Sequence, residues 1–94
     1  MPLTTSQVPF ETLKQLAKQV NNERVGATID IERRRGEYER NGYSGTMYYF
    51  NTANMKTAES TLLNECKNSG ACQRNVQKVS NAPASAGYVY VIAS

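Results

Sequence analysis

Histidine and tryptophan are both missing from this 94-residue chain, and cysteine occurs only twice. Without histidine there is no Ser-His-Asp triad, no Cys-His pair and no imidazole-ligated metal, which excludes the commonest hydrolytic chemistries. Two thiols cannot furnish a four-ligand metal site either. Long hydrophobic runs are absent as well: none approaches the ~20 residues that span a bilayer, and the longest, Tyr88 to Ala93, has the length of a strand. No membrane partner is therefore expected. Met1 to Ser6 has neither a basic n-region nor an apolar h-region, so the expected location is intracellular (cytoplasmic).

What is present is ordinary for a globular protein. Hydrophobic residues make up 39% and charged residues 20%, a balance that favours a folded core over disorder. The length suits a single domain over residues 1–94, with room for one sheet and two or three helices. A formal charge of +3 is mildly basic and compatible with a nucleic-acid partner. Cys66 and Cys72 admit two readings. A disulfide would close a small loop and add about 2 kcal/mol; the reading preferred here is two reduced thiols, with Cys66 packed as a small apolar residue at a helix end.

Periodicity supplies the elements. Phe10, Leu13, Leu16, Ala17 and Val20 recur at helical spacing, with Ser6 as cap, Pro9 in the first turn and Asn21-Asn22 as the stop. From Val25 to Arg33 the period changes to two, with Val25, Ala27, Ile29 and Ile31 on one side, which predicts a half-buried strand. Gly36 to Gly45 contains Asn41-Gly42, a strong two-residue turn signal, and predicts a wide hairpin connection. Thr46 to Phe50 carries large apolar side chains on both faces, as a central strand does. Asn54 caps a second helix from Met55 to Cys66, with Met55, Ala58, Leu62, Leu63 and Cys66 as its buried stripe. Gln73 to Ser80 fits a helix or a strand, Asn81 to Gly87 is a loop, and Tyr88 to Ile92 is an inner strand. The expected fold class is α+β: a small antiparallel sheet of three or four strands packed against two helices, in the order α-β-β-α-β.

The densest charged stretch runs from Asp30 to Arg40. Arg33, Arg34, Arg35 and Arg40 stand beside Tyr38 and Tyr43, and guanidiniums that grip phosphates next to rings that stack on bases are what a nucleic-acid contact requires. Four carboxylates in the same stretch balance four arginines, so a solvated hairpin laced with weak ion pairs is the plainer reading. The functional expectation is a small macromolecule-binding domain using this Arg/Tyr hairpin, nucleic acid ahead of protein. An alternative is an interaction or inhibitor module that dimerises across a sheet edge.

Tyr48-Tyr49-Phe50-Asn51-Thr52-Ala53-Asn54-Met55-Lys56 resembles the second motif strand and helix entry of GIY-YIG domains. That resemblance implies a small antiparallel sheet flanked by helices and, where active, metal-dependent cleavage of nucleic-acid phosphodiesters by tyrosine, arginine and a metal-binding glutamate. Tyr49 and Glu59 would be its catalytic pair, with a divalent metal as cofactor; on any other reading no cofactor is implied. The position of the family's catalytic arginine reads Ala58, so the resemblance points to a degenerate member rather than a working nuclease.

Overall fold

The computed structural model describes residues 3–19, 22–69 and 82–93. In chain order they form β1 (Leu3–Gln7), α1 (Phe10–Ala17), β2 (Asn22–Thr28), α2 (Ile31–Arg40), β3 (Gly45–Thr52), α3 (Met55–Ser69) and β4 (Gly87–Ala93). The sheet order is β1-β3-β4-β2. β1 runs parallel to β3, and β4 is antiparallel to both of its neighbours. β1, β2 and β3 therefore point the same way, each is followed by a helix, and the three helix N-termini gather at one end of the sheet.

Side-chain alternation along the inner strands builds two cores, one on each face. Val89 and Val91 join Leu13, Ala17, Leu62 and Leu63 beneath α1 and α3. Met47, Tyr90 and Ile92 join Leu3 and Ile31 beneath α2. Apolar or aromatic residues on both faces of β3 and β4 thus mean what the sequence implied, an inner position. The stripe predicted for the second helix is also buried in full, from Met55 to Cys66.

Two of the strand-to-helix connections use the same device. In Thr28-Ile29-Asp30 the Asp30 amide donates to Thr28 Oγ1 at 3.0 Å, and Asp30 Oδ1 accepts from the Arg33 amide at 3.1 Å. In Thr52-Ala53-Asn54 the Asn54 amide donates to Thr52 Oγ1 at 3.1 Å, and Asn54 Oδ1 accepts from the Thr57 amide at 3.1 Å. The threonine closes the turn and the Asx side chain satisfies an otherwise orphaned amide of the first helical turn.

The structure corrects the sequence reading in five places. The sheet is mixed rather than antiparallel, and the described residues hold three helices in a β-α-β-α-β-α-β order. Ser6 is no helix cap: it lies in β1 opposite Tyr48, and α1 starts after Pro9. The strand from Val25 ends at Thr28, which leaves Ile29 70% exposed and turns Ile31 into the first residue of a helix. The Arg/Tyr hairpin is that helix, α2. Asn41-Gly42 ends it instead of folding a hairpin: Gly42 takes φ +90°, its amide donates to Glu39 O, and the Tyr43 amide donates to Tyr38 O. That is a Schellman C-cap, for which a left-handed glycine is the natural residue. Lastly, Cys66 is not a reduced thiol but is disulfide-bonded, a state typical of oxidising compartments. Val20, Asn21, Cys72 and the stretch from Gln73 to Ser80 lie outside the described residues. No helix among the described residues is long and apolar enough to cross a membrane.

Candidate functional site

A helix repeating every 3.6 residues separates the charged stretch into distinct surfaces. Ile31 and Tyr38 turn inward: Ile31 is buried, and the Tyr38 hydroxyl lies 2.8 Å from the Tyr90 hydroxyl. Tyr43 packs edge-on against Tyr38 at 4.9 Å, the apolar contact that accompanies a Schellman cap. Both rings are therefore spent on the fold rather than offered to a partner.

The arginines divide in the same way. Arg35 Nε meets Glu32 at 3.1 Å and its Nη1 meets Glu39 at 3.4 Å, while Nη1 also donates to the Leu3 carbonyl at 3.2 Å. Glu39 accepts from the Leu3 amide at 2.8 Å, so this flank of α2 clamps the outer edge of β1. Arg34 Nη1 meets Glu37 at 3.4 Å on the opposite flank. Arg33 and Arg40 are exposed on the outward face and join none of the ion pairs among the described residues. Gly36 lies between them, and Arg40 Nη1 reaches back to within 3.4 Å of where a Gly36 Cβ would stand.

The outer edge of β2 carries a second constellation that the sequence reading missed. Tyr90 of β4 is paired with Gly26 of β2, and its ring lies directly over that glycine, where an added Cβ would overlap the hydroxyl and Cζ. The side chain thereby crosses β2 and delivers its hydroxyl to the strand's far side. There Arg24, Arg34, Tyr38, Glu59 and Tyr90 line a cavity of about 120 Å³. Glu59 is 3% exposed and is itself partnered. Nε of Arg24 and Nε of Arg34 are buried and have no hydrogen-bond partner. A wider cavity of about 320 Å³ adjoins it, sharing Arg34 and Glu59 and bordered by Arg33, Met55 and Pro83. Burial raises the Tyr90 pKa above the ordinary tyrosine range and Tyr38 raises it further, while Arg34 and Arg24 draw it partly back.

Tyr49 and Glu59, the residues a nuclease would need together, do not share a cavity. Tyr49 lies under α2, edge-on to Tyr88 at 5.7 Å, whereas Glu59 stands at the β2 edge. Among the described residues no cluster of three or more carboxylate or thiol ligands could hold a metal ion. No family model, curated protein or solved structure matches this chain. Only a sequence pairing of Gly26 with Tyr90 would have disclosed the second constellation, and their separation along the chain hides it.

Proposed function

We propose that the domain binds a polyanion, a nucleic acid ahead of an acidic protein, along the outer face of α2. One observation supports this reading above the others: Arg33 and Arg40 lie seven residues apart on one helix face, outside every ion pair among the described residues, while Arg34 and Arg35 are engaged. Seven residues rise about 10.5 Å along a helix. That span matches about three phosphate steps of one DNA strand. The tyrosines drop out of the binding surface, so the contact is to phosphates and carries little base preference.

Fluorescence anisotropy with labelled single- and double-stranded oligonucleotides over a salt series tests it. Binding is expected at about 50 mM salt, with a logarithmic salt slope that falls by about 1.5–2 in Arg33→Ala/Arg40→Ala. Arg35→Ala should leave the slope unchanged. No binding of either oligonucleotide at about 50 mM salt removes the proposal.

A further inference from the structure

The cavity at the β2 edge is lined by hydrogen-bond donors left without an acceptor. Arg24 and Arg34 each bring a buried Nε–H that no protein group accepts. The Tyr38 and Tyr90 hydroxyls are 2.8 Å apart; whichever of them donates to the other, one O–H is left to donate elsewhere. Both arginines line one cavity with Tyr38 and Tyr90, so the two guanidiniums and the hydroxyl pair belong to one constellation. Arg34 uses Nη1 on Glu37, with 37% of its side chain exposed, and so its remaining donors stand between solvent and the interior.

Three donors, two of them on guanidiniums, suit one chemical group best. A planar guanidinium fork matches the paired oxygens of a carboxylate or phosphate, and charge-assisted bonds of this kind are the strong ones. Glu59 in the cavity wall limits the charge that can be accepted. Glu37, paired with Arg34, offsets charge as well, so the donors favour a ligand of low charge over a highly charged one.

We infer that the cavity lined by Arg24, Arg34, Tyr38 and Tyr90 is a binding site for one oxyanion, a carboxylate or a singly charged phosphate group of a small molecule. Neither Arg33 nor Arg40 lines it. Gly26 is what opens it, because only a residue without a side chain lets the Tyr90 ring pass over β2.

The test is a titration of the ¹⁵N-labelled protein with inorganic phosphate and, separately, acetate at constant ionic strength, reading the arginine Nε–Hε signals. Saturable shifts of the Arg24 and Arg34 signals are expected below about 10 mM of at least one anion. Phosphate and acetate distinguish a tetrahedral from a planar ligand. Arg24→Gln and Arg34→Gln, each checked for retained fold by circular dichroism, should reduce the affinity at least about tenfold, and Arg40→Gln, at a residue that lines neither cavity, should leave it unchanged. The inference is overturned if neither anion gives a saturable shift at Arg24 and Arg34, or if affinity survives in both glutamine variants. Because oligonucleotide binding is read through Arg33 and Arg40, either proposal can fail without the other.

Discussion

Gly26→Ala is the most discriminating single change that the structure offers. The added methyl group would occupy space already filled by the Tyr90 hydroxyl and Cζ, and both residues are buried and directly paired across β2 and β4. Tyr90 is 2% exposed and bounded by Met47, Ile92 and Tyr38, so the ring cannot simply swing aside. Overpacking of this kind costs about 1–3 kcal/mol. Displacing the ring also loses the bond to the Tyr38 hydroxyl, about 0.5–1.5 kcal/mol. The edge-to-face contact with Tyr38, at 5.8 Å and 67°, contributes about as much again. The expected loss is about 2–6 kcal/mol in total, which urea denaturation resolves readily at a slope of about 1–3 kcal/mol/M. The decisive control is the same change in a Tyr90→Leu background, where the obstructing atoms are gone and the alanine should cost less than about 1 kcal/mol. Equal costs in the two backgrounds, within about 0.5 kcal/mol, would refute the claim that the glycine exists to let the ring cross the strand.

Other consequences follow from the same packing. Because the folded-state pKa of Tyr90 is raised, the folded chain holds this proton more tightly than the unfolded one. The associated stability is complete below about pH 10 and falls as pH rises beyond it. Urea midpoints from about pH 8 to 11 should therefore decline more steeply for the parent protein than for Tyr90→Phe, and coinciding profiles would contradict the assignment. Leu62→Ala, at a position with 0% exposure in the α1/α3 core, should cost about 2–5 kcal/mol. Lys67→Ala, exposed on the same helix, should stay within about 0.5 kcal/mol by the same urea denaturation. Alkylation followed by mass spectrometry should leave Cys66 unmodified until a reductant is added. Reduction should lower stability by about 2 kcal/mol.

The inner strands and the amphipathic helices were legible because their signal is hydrophobic periodicity. Tyr48 and Phe50 face one core while Met47 and Tyr49 face the other, and the run at Tyr88 to Ile92 behaves likewise. α2 was not legible for the same physical reason. Ile31 is its only buried residue, so no apolar stripe announces a helix, and the alternation beginning at Val25 continued by chance into Ile29 and Ile31. A readable signal did exist: Thr28-Ile29-Asp30 repeats the Thr-x-Asx entry of Thr52-Ala53-Asn54, which introduces α3. β1 escaped because Leu3 to Gln7 holds one apolar residue, and its strand character comes from β3 and from the clamp of Arg35 and Glu39 on Leu3. Site residues fared worst. Arginine-rich composition could be seen in the sequence, but whether a guanidinium faces solvent, a glutamate or a cavity depends on helix phase. Arg24 and Tyr90 acquire their roles only once β2 and β4 are side by side.

β4 separates β3 from β2, so the sheet is joined in its middle by the strand that follows all the others in sequence. During synthesis the early β-α segments can form their local turns while β2 still has no neighbour to bond. Gly26 must wait for Tyr90, sixty-odd residues downstream by the pairing register, and such distant closures slow folding. β1 and β3 pair directly, but attachment of β2 to them and construction of the Tyr90 cavity are a single late event, and a chain interrupted before β4 would possess neither.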